Sequence, residues 1–150
     1  MWKVAIFDDN QVVVDALCGS IDWKSINCSI CGVASNGTDA LAVINNAQPN
    51  IVITDILMPG FSGLELAAMV KKTHQSTKFI IITGFSNAKF ARQSVRLSVF
   101  DYISKPVDNE EIVKVVLEAI DALRQENNSL QKEPDDVVEA ALSAVYCKIG

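Results

Sequence analysis

Apolar residues cluster in five short runs along this chain: 3–7 (KVAIF), 29–34 (SICGVA), 51–54 (IVIT), 79–82 (FIII) and 99–103 (VFDYI). Several run without polar alternation, as strands do when a sheet is covered on both faces. Between the runs the pattern lengthens to helical period. In 37–47, Ala40, Val43, Ile44 and Ala47 recur at i, i+3, i+4 and i+7, after Asn36 and Gly37 as a cap. Residues 62–73 open with Ser62 and Glu65, the spacing of a capping box. A first helix over about 10–20 is carried by Val13, Val14 and Leu17, and 87–96 also has helical period. The last pattern, 108–125, places Ile112, Val116, Ile120 and Leu123 on one stripe, with Asp108 as N-cap.

Strand and helix therefore alternate five times. Right-handed crossovers convert that order into an α/β fold, a (βα)5 doubly wound five-stranded parallel sheet with helices on both faces. The flavodoxin-like strand order 2-1-3-4-5 is the common solution at this size. Such sheets bind ligands beyond the carboxyl ends of their strands, at the switch point beside the first strand. Residues 1–125 make up this unit, and 126–150 lie outside it. The stretch NNSLQKEPDD reads as a loop or a frayed helix end. An extra helix then starts near Pro134, with Asp135 and Asp136 at its positive end and Val138, Ala141, Leu142 and Val145 as its apolar stripe.

Composition narrows the function classes. The 150 residues are 49% hydrophobic and 21% charged, enough for a packed core. A net charge of −5 and the lack of a basic block argue against a nucleic-acid surface on this unit. The N-terminal apolar run is too short for a signal peptide, and no run reaches a membrane span, so the expected location is the cytoplasm. Cys28 and Cys31 have a metal-like spacing, but in a strand an odd offset points them to opposite faces. A zinc site would need two more ligands, and His74 is the single histidine. Cys18, Cys28, Cys31 and Cys147 are therefore expected to be reduced, buried thiols. His74 is expected to be exposed near the end of the third helix, where a cationic side chain suits the dipole.

The polar residues at the strand ends are more informative. The first strand runs into Asp8 and Asp9, the third into Asp55, and the fourth into Thr83 and the small Gly84. Lys105 and Pro106 follow the fifth. The fold would gather all of them on one rim. Three close carboxylates repel and call for a cation. All-oxygen ligation with room for water suits Mg²⁺. Lys105 adds a mobile positive charge and Thr83 a hydroxyl. Such a set is arranged to let an Asp attack phosphorus and hold an aspartyl phosphate.

The segments FDDN, TDILMPGFSG, IITG and DYISKPVD, spread over residues 3 to 122, together resemble a response-regulator receiver domain of two-component signalling. The resemblance implies Asp55 as phosphoacceptor. It implies Mg²⁺ (or Mn²⁺) held by Asp9, Asp55 and the backbone carbonyl of Leu57, with Asp8 acting largely through water. Lys105 would contact the phosphoryl group, the Lys105–Pro106 bond would be cis, Thr83 would swing toward the phosphate and Tyr102 would turn inward behind it. The donor would be a histidine kinase. Self-phosphorylation and self-dephosphorylation would be the chain's only chemistry, so it would not be an enzyme in the usual sense. Leu57 borders the path of the attacking water, which bears on phosphate lifetime.

The stretches SNGTDAL, TGFSNAKFA and DYISKPVDNEE are most similar to receivers joined to AraC-type DNA-binding domains. DNA would then be contacted only by a domain outside this chain. Lys89, Arg92 and Arg96 on the fourth expected helix, with Glu111, Glu118 and Asp121 on the fifth, would form a partner face. Receivers pair into homodimers through the face of helix 4, strand 5 and helix 5, and opposite charges would steer that association. Two other classes fit less well. A haloacid-dehalogenase-like phosphohydrolase wants D-x-D after the first strand, where this chain has adjacent Asp8 and Asp9. A flavin binder wants a Ser/Thr-rich loop there, and QVVV is not one.

Overall fold

The computed structural model describes residues 1–84 and 99–139. The expected helix over 87–96, with Lys89, Arg92 and Arg96, lies outside the described residues, as does Cys147. Five strands form one parallel sheet: β1 (Trp2–Phe7), β2 (Cys28–Ala34), β3 (Ile51–Asp55), β4 (Lys78–Thr83) and β5 (Asp101–Ser104). Their spatial order is β2-β1-β3-β4-β5, as the alternation predicts. The described helices are α1 (Gln11–Ser20), α2 (Gly37–Ala47), α3 (Gly63–Thr73) and α4 (Asn109–Glu139), with a 3-10 turn at Trp23–Ile26. By its internal contacts the chain divides into Met1–Ala119 and Ile120–Gly150. The sheet lies in the first unit, and the described part of the second is helical.

The inner strands owe their places to unbroken apolar sequence. Every residue of β3 is buried, and Phe79–Thr83 of β4 are too. Ala5, Phe7, Val52 and Phe79 pack with Ala40 and Ile44 of α2 and with Leu66 and Val70 of α3. Each of the larger side chains here, Val, Ile, Leu or Phe, is worth about 1.5–3 kcal/mol for leaving water.

The helix starts are set by local polar residues. Asn10 caps α1 by accepting the Val12 N–H, and Asn36 caps α2 by accepting that of Asp39. Ser62 and Glu65 form the expected reciprocal box on α3. Asp108 accepts the Glu110 N–H at 3.2 Å and opens α4. His74 closes α3 with its backbone N–H on the Val70 carbonyl at 2.6 Å. Its side chain is half-buried rather than exposed.

Two features differ from the sequence reading. The stretch 127–136, expected as a loop or a frayed helix end before a new helix near Pro134, is helical, and α4 runs on through it to Glu139. Gln125, Glu126, Gln131, Lys132 and Glu133 are good helix formers, and extending an existing helix avoids a new nucleus. Strand β2 carries a bulge: Val4 pairs with Ile30 but Ala5 with Gly32, which skips Cys31. Gly32 sits so close to α2 that an added Cβ would lie 2.5 Å from Val43 Cγ1. Cys18, Cys28 and Cys31 are free thiols; Cys28 is buried and the other two half-buried. Burial raises the pKa of all three.

Truncating the centre of the sheet should be costly. Ile53→Ala empties a fully buried site on β3. It should lower unfolding free energy by about 2–5 kcal/mol, read as a lower urea midpoint at unchanged slope.

Candidate functional site

The acidic rim follows from pairing. Phe7 of β1 lies level with Thr54 of β3, so the next residues, Asp8 and Asp55, emerge side by side from neighbouring strands. Asp9 follows at the surface. Carboxylate oxygens of Asp8, Asp9 and Asp55 all fall within 4.8 Å of one another. Asp8 is fully buried, Asp55 is 7% exposed, and Asp9 is exposed. Two unit charges at 4.8 Å repel by roughly 3 kcal/mol at an effective dielectric of about 20.

Lys105 partly offsets this. Its backbone N–H bonds the Thr83 carbonyl at 2.8 Å, which anchors the residue beyond β5. Its Nζ donates to Asp55 Oδ2 at 3.2 Å and lies 3.4 Å from Asp8 Oδ2. The Lys105–Pro106 peptide bond is cis. Burial alone would lower the Lys105 pKa; the hydrogen bond and charge of Asp55, then the charge of Asp8, outweigh it and hold the ammonium above its ordinary value.

One cation does not satisfy three acids. Asp8 Oδ1 accepts the Asn10 N–H at 2.9 Å, but the buried Oδ2 accepts no hydrogen bond, because its ion pair with Lys105 is poorly aligned. Burial pushes the Asp8 pKa up, the Asn10 hydrogen bond pulls it down, the charge of Asp55 raises it and Lys105 lowers it; the net shift is upward. A buried carboxylate oxygen with an open lone pair, among three close carboxylates, fits a hard divalent cation. Among the described residues this is the one acidic or Cys/His cluster with such spacing.

The loop from β3 to α3 closes the site. Leu57 donates its N–H to Asp55 Oδ1 over a long 3.4 Å, and its side chain is 60% exposed. Met58 is buried beneath it. Thr83 is fully buried and its hydroxyl donates to the Gly84 carbonyl at 3.2 Å. Tyr102 is half-buried and packs on Ile56 and Ile81. Glu111, Glu118 and Asp121 are all exposed on α4. Asp101, Tyr102, Ser104, Glu111, Lys114 and Glu118 border an open groove. The structure thus brings Asp8, Asp9, Asp55 and Lys105 together directly. Asn10 was not singled out from sequence for its role beside Asp8; the D-x-N spacing, with a cap residue two beyond the acid, is the signal that would have found it.

Residues 4–117 match the response regulator receiver domain as a family. The chain belongs to that family. Among curated relatives, it is 35% identical over 127 residues to the transcriptional regulatory protein YesN of Bacillus subtilis, covering 85% of this chain and 34% of YesN. It is 31% identical over 112 residues to the transcriptional regulatory protein HptR of Staphylococcus aureus, covering 75% of this chain and 44% of HptR. The chain thus spans less than half of these relatives. Among solved structures, the receiver domain of AraT, a response regulator from Geobacillus stearothermophilus, superposes with a TM-score of 0.78 at 31% identity, covering 84% of this chain and 98% of that one. A two-component transcriptional regulator AraC from Clostridium phytofermentans gives 0.78 at 25% identity, covering 85% and 98%. The receiver fold and the likeness to AraC-type regulators expected from the motifs are both met.

The strained acid cluster has a thermodynamic signature. Asp8 has a pKa raised by folding, so its contribution to stability is fully present below the unfolded value of about 4 and is lost as pH rises through the higher folded value. Without metal, Asp8→Asn should therefore be more stable than wild type at pH 7, with the gap narrowing as pH falls toward 4. Urea unfolding across that range checks it; a less stable variant, or a gap independent of pH, would contradict the assignment.

Proposed function

We propose that this receiver takes a phosphoryl group on Asp55 from a histidine kinase and passes a conformational signal to an output domain outside the chain. The observation that carries the reading is the convergence of Asp8, Asp9 and Asp55 with Lys105 Nζ, which bonds Asp55 Oδ2 at 3.2 Å. Asp8, Asp9, Asp55 and the Leu57 carbonyl would hold Mg²⁺, or Mn²⁺. When bound, the ion supplies charge neutralisation for the acids and for the transferred phosphoryl oxygens.

The chain's own residues do the rest. A carboxylate oxygen of Asp55 attacks phosphorus; the bond from phosphorus to the donor's imidazole nitrogen breaks, and that nitrogen keeps the electron pair. Lys105 moves its hydrogen bond from the Asp55 carboxylate to a phosphoryl oxygen. Thr83 exchanges its bond to the Gly84 carbonyl for one to the phosphate. The new group carries about −1.5 to −2 charges if it behaves as other phosphorylated side chains do. Only contacts that differ between the two states can shift their populations, and those of Thr83 and Lys105 do. Tyr102, packed behind β4, follows Thr83 inward and alters the face shared with α4. That face, with Glu111, Glu118 and Asp121 and the cations Lys89, Arg92 and Arg96 of the segment before β5, would pair two copies in the phosphorylated state.

Residues 1–125 are taken as the receiver and 126–150 as the segment leading to the output. Transcriptional control follows from the relatives YesN and HptR, each named a transcriptional regulatory protein. DNA contact belongs to the absent output domain. No helix among the described residues is long and apolar enough to cross a membrane, in keeping with a cytoplasmic setting.

Incubation with acetyl phosphate and Mg²⁺ should add one phosphoryl mass to the intact chain, and Asp55→Asn should abolish it. Steady hydrolysis of an external phosphoester without need of Asp55 would overturn the reading. Lys105→Ala removes a cation that competes for the same acids. It should leave Mg²⁺ affinity equal to or above wild type, while the phosphorylation-dependent change in amide exchange at Thr83 and Tyr102 is lost. Parallel loss of metal binding and response would contradict the role given to Lys105.

A further inference from the structure

The loop that follows Asp55 is held from outside by the start of α2. Gly37, the first residue of that helix, is buried and donates its N–H to the Pro59 carbonyl at 2.8 Å. That N–H is one of the donors that a helix start leaves without an intrahelical partner. Here it is spent on the loop. Gly37 also lies so near the chain at Phe61 that an added Cβ would collide with the Phe61 carbonyl and amide and sit 2.6 Å from its Cα. Those are backbone atoms, which have no rotamer by which to yield. On the loop's own side, Gly60 takes φ +82, a conformation that favours glycine, and its absent Cβ would meet Thr38 Oγ1 at 3.3 Å. The return limb is pinned as well: the Gly63 N–H bonds the Ile56 carbonyl at 3.0 Å. Leu57 is therefore carried on a span fixed at both ends, at Asp55 by β3 and at Pro59–Phe61 by α2.

We infer that Gly37 is a positioning residue for the Asp55 site. Its bare backbone acts as a stop against which Pro59–Phe61 seat, and this sets where the Leu57 carbonyl stands relative to Asp55. The inference rests on the proposed reading of Asp55 and Leu57 as metal and phosphoryl ligands. No charge or catalytic group on Gly37 is involved; its contribution is the absence of a side chain and the direction of one N–H.

The test compares Gly37→Ala with Ile44→Ala in the full chain. Ile44 lies on the same helix, fully buried in the core that also holds Met58 and Phe61, so it controls for packing lost beneath the loop without touching the bond from Gly37 to Pro59. Both variants should lose thermal stability. At a temperature where both are folded, Gly37→Ala should bind Mg²⁺ about 10-fold more weakly, as the loss of an outer support does in metal sites. Its uptake of phosphoryl from acetyl phosphate should slow in step. Ile44→Ala should keep wild-type Mg²⁺ affinity. Equal Mg²⁺ affinity in Gly37→Ala and wild type, or equal weakening in both variants, overturns the inference. If Gly37→Ala does not fold, Mg²⁺ titration of the ¹⁵N-labelled wild type decides instead. The Gly37 and Phe61 amide resonances should shift with the same midpoint as those beside Asp55, and unmoved resonances overturn the inference. A wild type that takes up neither Mg²⁺ nor phosphoryl overturns the underlying reading and the inference with it. Normal wild-type uptake with an unaffected Gly37→Ala overturns the inference alone.

Discussion

The constraint on which this molecule turns is the pairing of β1 with β3. Parallel neighbours lie about 4.8 Å apart, and Phe7 stands level with Thr54. Asp8 and Asp55 must then leave the sheet together, at the edge of a dry core. Their separation is not a choice of side-chain rotamers; it is inherited from the backbone ladder. Charge that water would screen is kept close to apolar strands, so the site stores repulsion in the resting protein. A set of this kind could hold a hard divalent cation, which would offset that repulsion.

The remaining parts of the site answer that repulsion in graded ways. Lys105 supplies one positive charge between two acids, yet leaves Asp8 Oδ2 without a hydrogen bond. Asn10 gives Asp8 a backbone donor and then caps α1, so one residue links the acid to a helix start. Thr83 sits in the wall with its hydroxyl spent on a neighbouring carbonyl, a weak local bond that costs little to exchange. The apolar core beneath is what lets the rim remain imperfect. Val4–Phe7, Ile51–Ile53 and Ile80–Ile82 are all fully buried, and their burial outweighs a few kcal/mol of unfavourable polar placement. Functional sites commonly sit below the stability optimum in this way.

Where the structure departs from sequence expectation, the cause is an interaction between distant residues. The bulge at Cys31 follows from how β2 meets both β1 and Val43 of α2; the glycine inside the strand pattern was its one local sign. Strand β5 begins at Asp101, later than its apolar run, because the ladder with β4 opens at Ile80 and Asp101. The half-burial of His74 is likewise set by tertiary neighbours rather than by its place at a helix end. The continuation of α4 through 127–136 has the opposite lesson. Turn-like residues such as Asn127 and Asn128 disfavour a helix only slightly, and a helix already formed carries through them.

The sequence by itself determined the alternation of five strands with helices, the caps at Asn36, Ser62 and Asp108, and the acids and lysine that end the strands. These are legible because hydrophobic period and capping are local, read within a few residues. It also marked out the candidate site, since Asp8, Asp9, Asp55, Thr83 and Lys105 each stand where a strand stops. Only the tertiary structure decided which acid is buried and which exposed, that Asp8 rather than Asp9 pairs with Lys105, and that the backbone of Gly37 meets Phe61. Burial, pairing and close approach depend on which segments become neighbours. That is fixed by packing across tens of residues and not by any short stretch of chain.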